Sequence, residues 1–574
     1  SLQFTVYSFL CALLTVHCTL YTICYAQDTD LELTLDANAS TIPLPKIFKP
    51  NIDLSGRGLN RQTAWPQSLS QERALEAWAK DIGFPGIYRL QFNLWEIHQL
   101  ARDKNAQGKL LENYEKIIKN ISDAGGIVIL DIFGTPAGLG RILDKRTPPI
   151  DFKAYKELVK GYMRDWSVKK RYSIWYEAWS APDLDDFFLG RKQDYFNLYR
   201  ALAQGVLELE QEAKVHIPIG GPSVSWWFQD IDGNTIITPE KSLIYGLIKF
   251  CSAYKLPLNF ISWHGYSTSP KIESERTRYK KSAVELIREW LKYFGFEKNM
   301  PLIVDEWNFD TGLNVSPERQ EKSYIAASYL PSRLKRMYEA GIDNQVWFSL
   351  EDFFNQKEGV VRNVGAFWFD FESSEHKGGA KAIYNAFRML NKLGESMFLA
   401  QPKAEDEFVG VVATKSEDGI ALLVYNYIDP EIARNYLARN IATLNDAERK
   451  VLLNLFKTGG IENIFSGKSD IARLRASNKL KTLLKKAQEL NAQADKFKAL
   501  TRNLKLAIKN LNGKYTYQRY TIDSSCSMNC EFKPVEEKEI QAAEVNQQDL
   551  SLRPYSVHLL ILKKKIEEPE AQAQ

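Results

Sequence analysis

From about residue 49 to residue 399 the chain repeats one pattern: an apolar run short enough for a strand, then an amphipathic stretch long enough for a helix. Strands are expected at 86–92, 126–133, 172–179, 215–222, 260–266, 302–307 and 345–350. Helices are expected between them at 75–80, 114–124, 155–166, 196–212 and 283–294, another opens at Ser316 with Pro317 in its first turn, and the last lies at 380–393. Strands that alternate with helices pair in parallel, because a crossover helix returns the chain to the same edge. A count near eight favours a closed ring of strands, the TIM (β/α)8 barrel, within the α/β class, followed by a β-sandwich interrupted by a helical insertion. An open doubly wound sheet is the competing arrangement, but no glycine-rich phosphate loop follows the first strand candidate.

After residue 394 the period changes to that of strands, with hairpin arms at 408–413 and 420–427 joined at Asp418-Gly419, and further strands at 515–522 and 556–562. These read as a β-sandwich split by a helical insertion. Leu474, Leu480, Leu484, Leu490, Phe497, Leu500, Leu504, Ile508 and Leu511 give the insertion its apolar stripe, and a partner helix is expected at 443–456. The expected division is a leader at 1–26, a polar lead-in at 27–48, the barrel at 49–399, the sandwich at 400–428 and 513–565, the basic insertion at 429–512 and a polar tail at 566–574.

The 574 residues carry a formal charge of +4, too small a balance for a dedicated nucleic-acid binder. The positive charge is local: between 468 and 514 Lys and Arg far outnumber Asp470, Glu489 and Asp495, a face suited either to solvent or to an anionic polysaccharide or membrane surface. Residues 4–26 are apolar and end Cys24-Tyr25-Ala26, as in a secretory signal, and are long enough to remain as an anchor. The expected location is therefore secreted, periplasmic or cell-envelope. In such a compartment Cys526 and Cys530 are close enough to pair, leaving Cys251 as a buried thiol.

The chemistry is concentrated where strands end. Trp179-Ser180-Ala181-Pro182, after an apolar strand, resembles the Trp-Asn-Glu-Pro segment of glycoside hydrolase family 39, the β-xylosidases and α-L-iduronidases. Ile219-Gly220-Gly221-Pro222, Phe260-Ile261-Ser262-Trp263-His264, Pro301-Leu302-Ile303-Val304-Asp305-Glu306 and Lys381-Ala382-Ile383-Tyr384-Asn385-Ala386-Phe387 resemble further family segments in the same order. The resemblance implies a barrel followed by a sandwich and a retaining glycosidase, which needs two carboxyl groups about 5–5.5 Å apart. It makes Glu306 the nucleophile. It also places Ala181 where the family has its acid/base Glu, and Ser180 where an Asn holds the sugar 2-hydroxyl. His264 and Tyr266 match positions that shape the sugar pocket and orient the nucleophile, and Glu177 matches a buried Glu that is not the proton donor.

Strand alternation sends Glu177, Trp179 and Ala181 to one side and Asp305 to the face opposite Glu306. Asp183, with Asp185 and Asp186 behind it, is the nearest replacement for the missing acid, and Asp131 at the end of the third strand is another. Trp263, Trp307, Trp347 and Trp368 are candidate platforms for sugar rings. No metal-ligand spacing or phosphate loop stands out, so no cofactor is expected. The expected function is hydrolysis of O-glycosidic bonds in a poly- or oligosaccharide. The alternatives are a carbohydrate-binding pseudoenzyme and an envelope protein acting through its basic insertion.

Overall fold

Eight parallel strands close into a ring: Ile52–Asp53, Ile87–Asn93, Ile127–Phe133, Ile174–Ala178, Ile219–Val224, Phe260–His264, Leu302–Trp307 and Asn344–Trp347, in that order around the barrel. The computed structural model describes residues 30–54, 67–228, 238–275, 280–309, 322–355, 360–369, 378–403, 407–543 and 545–565. The leader at 1–26, the tail at 566–574 and the helix start at Ser316-Pro317 lie outside the described residues. Among the described residues no helix is long and apolar enough to cross a membrane.

The barrel strands are buried on both faces, so they read as nearly continuous apolar runs, broken by single polar residues such as Asp131 and Ser262. Their outward residues pack against the surrounding helices. Inward, Ile87, Ile129, Phe260, Ile303 and Val346 form an aliphatic and aromatic floor, with Trp175 stacked on Phe260. The next layer up is polar, and the site is built there.

The second part of the molecule has two sheets. The larger runs in the order Thr41–Pro43, Ser396–Phe398, Val409–Ser416, Gly419–Asn426, Val557–Lys564, Lys514–Ile522, Glu536–Gln541. Alternation gives it two apolar faces. Val412, Leu423, Leu559 and Ile522 join the barrel core, whereas Val411, Leu422, Leu560 and Tyr517 join a separate core under the smaller sheet. That smaller sheet consists of Asp30–Asp36, Arg502–Lys509 and Val545–Leu552.

Two expectations are corrected here. The polar lead-in is structural: Leu31, Leu33 and Leu35 alternate into the sandwich core, and their strand pairs in parallel with Arg502–Lys509. The insertion's stripe ends sooner than expected. Its long helix is Asn478–Lys498, after which Leu504, Leu506 and Ile508 alternate with exposed or half-exposed residues as a strand. A period of two had been absorbed into a run of helical spacings. The strand's lysines are also not a free basic face, since Lys505 lies between Glu32 and Asp549 in the ladder.

The helices proper run Ile432–Asn440, Asp446–Lys457, Gly460–Phe465 and Asn478–Lys498 around a small core of Leu437, Leu452, Ile464, Leu480 and Leu484. This unit leans on a loop at the barrel mouth. Asn435 Nδ2 donates to Thr268 Oγ1 at 2.8 Å, and Arg439 pairs with Glu275. Cys526 and Cys530 are bonded, and their loop docks on the barrel through the Asn385 side chain, which donates to the Cys530 carbonyl at 3.1 Å. Cys251 is a buried free thiol, pushed up by burial.

Candidate active site

The second barrel strand carries one charged residue in its apolar run, Arg89, and the pleat turns it into the lumen. A buried guanidinium needs partners, and five carboxylates supply them. Glu177 lies 2.8 Å from Nε, Asp53 3.2 Å and Glu306 3.4 Å from Nη1, Asp131 3.4 Å from Nη2, and Asp305 3.8 Å from Nε. Nη2 also donates to Ser180 Oγ at 2.9 Å and Ser223 Oγ at 3.2 Å. Ser262 Oγ donates to the other oxygen of Glu177 at 2.7 Å. Among the described residues no group of His, Cys, Asp and Glu has a metal-holding arrangement, and the guanidinium stands where a cation among carboxylates would.

Five carboxylates around one cation cannot all be ionised in a dry interior. Burial pushes Asp131 up to about 8, and Arg89 pulls it only partly back. Burial, then the charge of Glu177, holds Asp305 well above the usual carboxylate range. Burial works against the Arg89 charge, but Glu177, Asp131, Asp305 and Asp53 outweigh it and raise its pKa further. Asp131 Oδ1 has no hydrogen-bond partner among the described residues, as suits a protonated acid.

The sign of the pH effect follows. A carboxyl near 3.8 when unfolded and about 8 when folded binds more protons in the folded state between those values. Its stabilising contribution is therefore whole below pH 4 and lost as pH rises toward 8. Asp131→Asn is expected to flatten the fall in stability between pH 5 and pH 8, read as urea midpoints at the two pH values. An unchanged slope would show that Asp131 holds no proton.

Only one member of the cluster reaches the open mouth. The side chain of Glu306 is 15% exposed, whereas those of Asp53, Asp131, Glu177 and Asp305 are 0% exposed. Tyr266 donates its hydroxyl to Glu306 Oε1 at 2.5 Å, and burial, then Glu306 itself, pushes that hydroxyl up so that it keeps its proton. His264 Nε2 lies 3.1 Å from Ser223 Oγ and 3.5 Å from Glu306 Oε2. Burial, helped by Arg89, pulls His264 down to about 3, so the ring is neutral at working pH. The loop bearing Tyr266 is fixed from below by Arg333, which donates to the Gly265 carbonyl at 3.0 Å and to Glu273 Oε2 at 3.1 Å.

Alternation fails at the ends of the fourth and seventh strands. Asp305 does not face away from Glu306: both reach Arg89, with Asp305 deeper. Register shifts on both neighbouring strands accompany the change, turning Glu306 into the mouth and Trp307 out to the core. On the fourth strand Glu177 is inside as expected, but Trp179 takes φ +71° and leaves the lumen for Phe133 and Phe188, with ring centroids at 5.1 and 5.3 Å. Ser180 faces Arg89 instead. Ala181 follows at φ +43°, and its N–H donates to the Ser223 carbonyl at 2.8 Å.

Asp183 does not stand free as a replacement acid. Its Oδ1 accepts the Ser225 N–H at 2.8 Å and its Oδ2 the Ser225 hydroxyl. Trp263, Trp307 and Trp347 are core residues, each at most 1% exposed, and none is a sugar platform. Trp368 is half-buried and reaches Asn529. Arg89 and Ser223 were missed from the sequence. The alternation of Arg89, Gln91 and Asn93 with Tyr88, Leu90 and Phe92 was the available signal for the first; nothing in the sequence marked Ser223.

The family model described as glycosyl hydrolases family 39 matches residues 142–505. The β-xylosidase of Geobacillus stearothermophilus is 23% identical over 307 residues, covering 49% of this chain and 53% of that protein. The β-xylosidase of Caldicellulosiruptor saccharolyticus is 24% identical over 298 residues, covering 50% and 55%. The chain thus spans about half the length of the curated relatives it matches. A solved monomeric β-xylosidase from Caulobacter crescentus shares the fold, with a TM-score of 0.60 at 14% identity, over 93% of this chain and 100% of that one.

Proposed function

Because the chain belongs to glycosyl hydrolase family 39, we propose that it acts on O-glycosidic bonds by a retaining displacement, with Glu306 attacking the anomeric carbon. The observation that carries this reading is that Glu306 is the only one of the five Arg89-linked carboxylates exposed to the mouth. The residues around it suit the task. Arg89 and Tyr266 each bond one of its oxygens, which fixes the direction of the lone pairs. His264, neutral, adds a polar wall without adding charge. Ser180, held by Arg89 beside the nucleophile, is placed to meet a sugar hydroxyl.

The β-xylosidase relatives make a β-linked xyloside the first substrate to test. The Cys526–Cys530 bond supports passage into an oxidising compartment, in keeping with an exported protein. The exposed lysines and arginines of the helical insertion, Arg475 and Lys485 among them, support a contact with anionic polysaccharide.

Incubation with a 2-deoxy-2-fluoro-β-xylosyl fluoride is expected to add one fluorosugar to the peptide containing Glu306, detected by mass. The fluorine slows hydrolysis of the adduct, and fluoride leaves without a proton. Absence of any adduct, with xylose still binding, would favour the second reading, a sugar-binding protein without turnover, for which Ala181 at the acid/base position is the supporting observation.

A further inference from the structure

The leaving group of a retaining displacement departs on the side opposite the nucleophile. Glu306 ends the seventh strand, and four places round the closed ring is the third strand, Ile127–Phe133, with the fourth, Ile174–Ala178, beside it. The loops after these two strands therefore border the leaving group. They are joined to each other: the Leu189 N–H donates to the Arg146 carbonyl at 2.9 Å, and Arg146 Nη1 donates to the Asp185 carbonyl at 3.1 Å.

Two features of this border are unusual for a site that expels a sugar. The first is apolar exposure. Of the eleven exposed large hydrophobic side chains among the described residues, five lie in these two loops: Ile142 at 59%, Leu143 at 81%, Ile150 at 60%, and Leu184 and Leu189 at 41% each. Such concentration in water marks a contact surface. The second is that, among the described residues, no unengaged carboxyl group stands at the strand end where a proton donor is needed, Asp185 and Asp186 lying further out on the loop and exposed to water. The strand end offers Ser180 and Ala181, and both oxygens of the next carboxylate, Asp183, are engaged by Ser225. An alkoxide leaving without a proton is slowed by roughly 10²–10⁴-fold, whereas a phenolate, already a stable anion, needs none.

We propose that the substrates are glycosides of apolar phenols, seated on the shelf formed by 142–150 and 184–189, rather than sugar–sugar linkages. The proposal rests on Glu306 as nucleophile. In the first step a Glu306 oxygen bonds to the anomeric carbon, and the carbon–oxygen bond to the aryl group breaks with its electron pair, releasing the phenolate. In the second, water attacks the same carbon, the bond to Glu306 breaks to restore the carboxylate, and the surplus water proton passes to solvent.

The test uses the full chain and a series of aryl β-xylosides and β-glucosides with phenols of rising pKa. kcat/KM is expected to fall by at least about 100-fold from dinitrophenol to unsubstituted phenol. A naphthyl glycoside is expected to show a KM raised by about tenfold or more in the double variant Ile142→Asp, Leu143→Asp, with the rate on a glycosyl fluoride unchanged. A flat dependence on phenol pKa would overturn the proposal, as would an unchanged naphthyl KM. Failure of the fluorosugar to label Glu306 would overturn the nucleophile assignment and this proposal with it, whereas labelling with a flat series would overturn this proposal alone.

Discussion

Arg89→Met is expected to cost about 3–5 kcal/mol of folding stability or more, the range seen when one partner of a buried ion pair is removed. The expected loss stands at the upper end because Arg89 bonds Glu177, Asp53 and Glu306 directly and has Asp131 within 3.4 Å, with no second cation in the lumen among the described residues. The carboxylates can answer only by taking up protons. The variant should therefore be closer to the parent at pH 5 than at pH 8, because protonated groups are stabilised below their folded pKa and lose that benefit as pH rises. Urea denaturation at both values measures this. Arg89→Lys keeps the charge but loses the planar fork that reaches several acceptors at once, so it should recover only part of the loss. A variant as stable as the parent at pH 8 would show that the cluster is not held by this residue.

Glu306→Ala is expected to reduce kcat on an aryl glycoside by about 10⁴-fold or more, on the scale found when an enzyme loses its nucleophile. The same change should leave stability unchanged or slightly higher, because it removes one negative charge from a cluster that has too many. Opposite effects on rate and stability separate a functional carboxylate from a structural one. Azide, small enough to enter the space left by the side chain, should restore part of the rate and give a glycosyl azide. A residual rate within tenfold of the parent would place the nucleophile elsewhere.

Much of the barrel could be read from the sequence because its strands are buried on both sides and appear as plain apolar runs. The exception is the first strand, Ile52–Asp53, whose two residues are too few to show any period. Glu306 was legible through its place at the end of such a run. Its surroundings were less so, because they depend on where alternation stops. The positive φ of Trp179 and Ala181 and the register shifts beside Glu306 turn side chains by amounts that residue types do not encode. The three tryptophans show the complementary error: an aromatic ring at a strand end reads equally as a sugar platform or as packing, and here the barrel core takes all three. In the sandwich the strand Arg502–Lys509 was hidden by the helix before it, and the alternation of Leu31, Leu33 and Leu35 was lost in a segment that reads as a polar lead-in.

That partner is far away along the chain. Asp30 is paired with Asn503, and every residue of the barrel is translated between them. At ribosomal speeds of about 5–20 residues per second, the early strand waits roughly 25 to 95 s for the segment it will lie beside. The barrel has time to close first, as a unit of mostly neighbouring contacts, while Leu31, Leu33 and Leu35 stay uncovered. Assembly is therefore expected to have a built-in order, enzyme body before sandwich, with the early strand captured only after the whole barrel has been made.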